Sequence, residues 1–202
     1  MGDEKLTMTD KLSHKERTRA RILDEAAQAM RQHGFEGIGV ASLMKRAGLT
    51  HGGFYAHFNN RDDLVAHAVD RMFQDNQLML ARHLDRDDIG AGLSALVDDY
   101  LSERRLAVSG RGCPFPPLLG EAARMPPVAR TRFAQGVEMF RVRLRDALDT
   151  LGRKDADALA SSLLSELIGA ATVARAFGEG EAAASMLRAA RSQIKSRLGL
   201  PD

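Results

Sequence analysis

The chain of 202 residues holds a single cysteine, Cys113. One thiol cannot build an intramolecular disulfide framework, and there is no cysteine cluster to hold a metal. No run of 18 apolar residues occurs, and the N-terminal stretch MGDEKLTMTDKLSHKERTR has no apolar signal core. A soluble cytoplasmic protein without a membrane partner is therefore expected. Convincing period-two alternation is also missing, so strands are not expected. No serine lies in a G-x-S-x-G elbow. The only phosphate-loop-like glycines, Gly110 and Gly112, lack a following Gly-Lys-Ser or Gly-Lys-Thr and any preceding strand. Catalysis is not expected, and no cofactor is implied. An apolar content of 44% can fill a small domain and a larger one, while the net charge of +2 decides nothing.

What the chain does have is helical periodicity. In ASLMKRAGLTHGGFYAHF, residues 41–58, Val40, Leu43, Met44 and Ala47 recur at i, i+3, i+4 and i+7, one apolar helical face, while Lys45 and Arg46 point elsewhere. Gly48 ends that helix, and Thr50 stands where its hydroxyl can cap a second one over residues 50–58. Two short helices joined by a tight turn form a helix-turn-helix, with His51, Gly52 and Gly53 at the end that enters a major groove. Two glycines in a first helical turn cost about 1 kcal/mol each relative to alanine. Close approach to another backbone explains them; an ordinary loop is the alternative. Phe54 and Phe58 read as core. His51 and His57, six apart, do not share a helical face and form no metal site.

Charge is unevenly placed. Residues 11–61 carry nine Lys and Arg against four acids, a net of +5, with four of the six histidines. A basic head on a mildly acidic body suits a phosphate-rich partner, although a solvated charged face has the same composition. The predicted organisation is a flexible arm over residues 1–14, a three-helix reading head over 15–60 and a helical body over 61–202, about nine helices in all. Residues 61–83, capped by Asn60, form a connecting helix of about 30 Å. After Gly90 and Gly92 a further helix carries Leu93, Leu96, Val97, Tyr100 and Leu101. Residues 110–117, with two glycines and three prolines, break the chain before a short helix and a long one through Phe140, Leu144 and Leu148.

The last two helices are apolar around much of their circumference. They are expected to pair with a second copy through Leu163, Leu167, Gly169, Ala170, Leu187 and Ile194 in a four-helix bundle, with a monomeric core as the alternative.

Several words in the head make a specific resemblance: Ile22, Leu23, Asp24, Glu25, Ala26, Ala27; His33, Gly34, Phe35; Arg46 through Thr50; Gly52 through Phe58; and Asp62, Asp63, Leu64. Residues 15–73 resemble the N-terminal domain of the TetR/AcrR family of one-component transcriptional regulators. Gly39 departs from the family, which usually has Ser or Thr there, and His51 stands where a lysine is usual. The resemblance implies a homodimer on a palindromic double-stranded DNA operator, repression by default, and release by a small-molecule effector. Carried onto this chain, the DNA-binding residues are Lys15, Arg17, Lys45, Thr50, His51, Gly52, Gly53, Tyr55, His57 and Arg61. An effector cavity between body helices draws on Met72, Phe73, Tyr100, Cys113, Phe115 and Phe140. Glu121 and Arg124 supply polar recognition there or are plain surface.

Cys113 precedes a prolyl helix start, where N–H groups favour thiolate, with Arg111 two residues away. Some family members resembling this chain carry a Gly-Cys pair here and sense electrophiles, which makes modification of Cys113 an alternative trigger. A small buried apolar role is the other reading. From the residues alone, a helical ligand carrier with an incidental basic head remains an alternative to the regulator, and a helical enzyme is a third.

Overall fold

The structure, a computed structural model, describes residues 13–107, 110 and 112–201. Most of the N-terminal arm and Arg111 therefore lie outside the described residues. The described chain is all-α, with nine α-helices and two 3-10 segments. α1 (His14–His33) starts at a capping box: Ser13 Oγ accepts from the Glu16 N–H, and Glu16 accepts in return from the Ser13 N–H at 2.7 Å. The helix thus starts at the last residue of the arm expected over residues 1–14. α2 (Val40–Arg46) follows an uncapped Gly39. At its end Gly48 takes φ +69, with the Gly48 N–H bonded to the Lys45 carbonyl and the Leu49 N–H to that of Met44, a Schellman closure.

The segment expected as an α-helix over 50–58 is instead a 3-10 helix, His51–Ala56. Consecutive glycines weaken α-helical preference, and the segment closes with tighter bonds such as the Gly53 N–H to the Thr50 carbonyl. Thr50 occupies the N-cap position, yet its hydroxyl makes no capping bond. Phe54 and Phe58 are buried as expected, sealing the head against α1 and the start of α3.

α3 (Arg61–Leu84) begins at Asn60, whose side chain accepts from the Asp63 N–H at 2.8 Å. It runs from the head into the body, where its main neighbours are α7 (Pro127–Thr150) and α1. Phe73 reaches α7 at Gly136, where an added Cβ would lie 2.3 Å from the ring. α4 (Ile89–Tyr100) begins before both glycines that had been expected to precede it. Gly92 is needed inside the helix, because a Cβ there would fall 2.1 Å from the His83 carbonyl oxygen. α5 (Glu103–Ala107), α6 (Phe115–Leu118) and the 3-10 segment Leu119–Arg124 form the irregular stretch between α4 and α7.

α8 (Ala156–Phe177) and α9 (Glu181–Leu198) pack on each other, and α8 also packs on α7. Among the described residues α8 alone is long and apolar enough to cross a membrane, but its Leu163, Leu164, Leu167 and Ile168 are buried in this fold. The expected dimer residues need correction. Leu163, Leu167, Ala170, Leu187 and Ile194 are all buried within one subunit, and only Gly169 is exposed. A helix apolar on nearly every side does not reveal which face its own subunit takes.

Candidate nucleic-acid interface and effector cleft

The reading head presents the 3-10 segment outward. Thr50, His51, Gly52, Tyr55 and Lys45 are exposed, Tyr55 at 68%, while Gly53 and His57 are partly covered. Neither glycine is required by its own subunit. A Cβ on Gly52 meets nothing within 4 Å, and one on Gly53 would make only ordinary contacts with Thr50 and Met44. Beside this segment, the first turns of α1 bring His14, Lys15 and Arg19 close to His57. The imidazolium of His57 is disfavoured by burial first, then by the charges of Lys15, Arg19 and His14, so its pKa lies below 6.5 and the ring is neutral at pH 7. Its Nδ1 is buried without a hydrogen-bond partner among the described residues. Arg19 stacks over Phe58 at 4.9 Å and joins this basic patch. Sequence reasoning missed His14 and Arg19, although the i, i+4 spacing of Lys15 and Arg19 on α1 signals a shared face. Lys15 and Arg17 are exposed on the same turn.

Arg61 does not belong to that surface as expected. Its guanidinium donates to the Phe35 carbonyl at 2.6 Å and to the Ile38 carbonyl at 3.3 Å, clamping the α1–α2 connection onto α3. The head is braced to the body at further points. Arg31 of α1 pairs with Asp75 of α3 at 3.0 Å, and Arg71 bridges Asp24 at 2.7 Å and Asp75 at 2.5 Å. Glu121 accepts from the Phe35 N–H at 3.1 Å, fitting against Gly34, where a Cβ would meet its carboxylate. Glu121 is thus a strut between body and head.

The six expected effector residues separate into two groups. Met72, Phe73, Phe115 and Phe140 are close-packed core: Phe73–Phe115 and Phe115–Phe140 ring centroids stand 5.5 and 5.6 Å apart. None of these four lines the pocket beside Cys113. Tyr100 and Cys113 line a small pocket of about 50 Å³, partly open to solvent, formed by the end of α1, α5, α8 and α9 together with Gly110 and Gly112. There the Cys113 sulfur accepts from Tyr100 Oη at 3.2 Å and Asn76 Nδ2 at 3.4 Å. Burial nevertheless pushes the thiol above its usual range, outweighing these donors, the Phe115 N–H and nearby Arg31. Of the two readings of Cys113, this environment favours the neutral, apolar thiol: desolvation of the anion exceeds what the helix start returns. Burial likewise raises Tyr100. No group of three or more metal-ligating side chains converges among the described residues.

Residues 22–68 match the family model of bacterial regulatory proteins of the tetR family. The chain carries a TetR-family reading domain. Whole-chain similarity extends over solved structures of TetR-family regulators. One from Chloroflexus aurantiacus J-10-FL is 25% identical at a TM-score of 0.79, covering 92% of this chain and 96% of its own. The reduced form of E. coli NemR is 22% identical at 0.78, covering 89% and 96%. A regulator from Agrobacterium tumefaciens is 20% identical at 0.78, covering 91% and 98%. No curated protein matches the chain. The chain thus joins a helix-turn-helix reading domain of the tetR type to a body with the fold of solved TetR-family regulators.

Proposed function

We propose that this TetR-family protein is a cytoplasmic repressor that binds a palindromic operator as a homodimer and is released by a small-molecule effector. The observation that carries the reading is the outward 3-10 segment with two glycines that its own subunit does not need, flanked by the basic patch of His14, Lys15, Arg19 and His57. A glycine without an internal reason fits a backbone that approaches DNA. Thr50, Tyr55 and His57 contact phosphate, Lys15, Arg17 and Lys45 add charge, and His51 reaches phosphate or a base edge. Two heads reach successive half-sites when they stand about one helical turn, roughly 34–36 Å, apart.

The partner copy sits on the outward face of α8 and α9, where Ala158, Ser165, Gly169, Val173, Ala182 and Ala189 are exposed, small residues that permit close helix approach. Release works through the braces at Arg31, Arg71 and Glu121: an effector that binds one body arrangement better shifts α1 and α3 and changes the spacing of the heads. Because Cys113 is a neutral, partly buried thiol, the reading favours a non-covalent trigger over its modification. The test is a titration of the purified protein against the DNA flanking its own gene, at near-physiological salt with excess unrelated DNA. Saturable binding to a palindrome, falling steeply with salt, is expected. Affinity no better than for competitor DNA would leave the carrier alternative standing.

A further inference from the structure

The Cys113 pocket continues into a broader groove along α1 and α3, the two sharing Arg31, Arg105, Gly110 and Gly112. Six arginines line this continuous surface: Arg31, Arg71, Arg82, Arg104, Arg105 and Arg175. Among the described residues three carboxylates reach them, and two of these are shared. Asp75 serves Arg31 and Arg71; Asp24 serves Arg71 as well; Asp99 serves Arg104, Arg105 and His83. Arg175 has no ion pair among the described residues. Cation therefore exceeds anion where solvent is partly excluded, and two guanidinium Nε groups, those of Arg31 and Arg105, are buried with no acceptor. Arg31 is only 5% exposed. An unpaired buried donor on a cation is costly, and a planar oxyanion supplies what is missing. Burial also outweighs Asp75 in holding the Arg31 pKa below its ordinary value, in keeping with an under-neutralised guanidinium.

Apolar side chains, Leu106, Pro116, Pro117, Ala171 and Leu187, line the same pocket. We infer that this cleft binds a small amphipathic carboxylate, its acid group held by Arg31, Arg105 and Arg175 and its hydrocarbon part laid against Leu106, Pro116 and Leu187. The inference rests on the effector reading above and gives that effector a chemical class. It also places the ligand on Arg31, the one of the six cleft arginines that lies on α1: a carboxylate bound there competes with Asp75, whose ion pair with Arg31 braces the head on α3.

The test is isothermal titration calorimetry of the full chain with benzoate, hexanoate, octanoate and decanoate. Octanol, octylamine and inorganic phosphate serve as neutral, cationic and purely ionic controls. At least one carboxylate is expected to bind with about one site per chain, and the three controls at least about tenfold more weakly. Arg175→Gln, at an exposed position, and Arg105→Gln should each weaken that carboxylate about tenfold. Binding by none of the four carboxylates overturns the assignment, as does equal binding of octanol, or wild-type affinity in both variants. A parallel titration of operator DNA separates the two readings. Carboxylate binding without specific DNA binding removes the regulator reading and keeps the cleft, whereas specific DNA binding without carboxylate binding removes the cleft alone.

Discussion

In the reading head a Cβ added at Gly52 meets nothing within 4 Å, whereas in the body one added at Gly136 would lie 2.3 Å from the Phe73 ring and one at Gly92 2.1 Å from the His83 carbonyl. The same residue type answers two different demands. In the body, glycine lets one element of the subunit approach another, α7 onto Phe73 of α3 and α4 onto the end of α3. In the head, the space it leaves faces outward. Charge divides the same way. Body carboxylates such as Asp99 are held by several cations at once, while Lys15 and Arg19 of the head crowd like charges around the neutral imidazole of His57. A like-charged cluster is unfavourable in the free protein and is relieved by phosphate, which agrees with the proposed DNA-facing role of the head.

The sharpest way to break this comparison is to fill both kinds of glycine. Gly136→Ala and Gly92→Ala should each destabilise by roughly 3 kcal/mol, lowering Tm by about 6–12 °C in thermal denaturation, because the added methyl overlaps packed atoms. An unchanged Tm would mean the body glycines are as dispensable as those of the head. The second effect is electrostatic. Burial raises Asp99, but hydrogen bonds from Arg105, His83 and Arg104 outweigh it and hold the carboxyl at about 2 rather than 3.8. A depressed folded-state pKa contributes stability above the unfolded value and loses it as pH falls. On the order of 2 kcal/mol should therefore disappear between about pH 4 and pH 2, and Asp99→Asn should remove much of that acid sensitivity in denaturant titrations.

The head should behave in the opposite sense. Gly52→Ala should leave Tm unchanged or raise it by up to about 1 kcal/mol equivalent, since alanine favours the helical turn, while weakening operator binding about tenfold or more. Coincident loss of stability and binding would show that Gly52 serves the fold after all. Smaller still, Tyr55→Phe removes one phenolic contact and should weaken all DNA sequences a few-fold and about equally. An effect confined to one operator position would instead make Tyr55 a base reader. Cys113→Ser should change release by a non-covalent effector least of all, and a variant that no longer responds would return the trigger to the thiol.

Much of the head was legible because its signals are local. Gly48, Asn60 and the apolar set Leu43, Met44 and Ala47 act within a few residues, and each takes the role that its spacing assigns. Arg61 was misread because its acceptors are the carbonyls of Phe35 and Ile38, over twenty residues away, and a basic residue beside a helix start looks the same whether it faces DNA or its own chain. The effector set divided, with Tyr100 and Cys113 at a pocket and the rest in the core, for a related reason. Phe73, Phe115 and Phe140 are the right kind of residue for an apolar cavity, but whether such rings line a space or fill it depends on how helices far apart in the chain come together. Arg31 and Arg105 gave no local signal at all, since their orphaned Nε groups exist only once burial removes water.

By itself the sequence determined the helical class, the head's turn at Gly48 and the cap at Asn60, the basic asymmetry and the family match over residues 22–68, because periodicity, capping and composition are properties of short stretches. Only the tertiary structure decided which leucines of α8 and α9 face inward, that Cys113 is a neutral thiol, that Arg61 and Glu121 brace the head, and that arginines from α1, α5 and α8 meet at one cleft. Those depend on burial and on contacts between distant segments, which set desolvation and hydrogen-bond partners that no local pattern encodes.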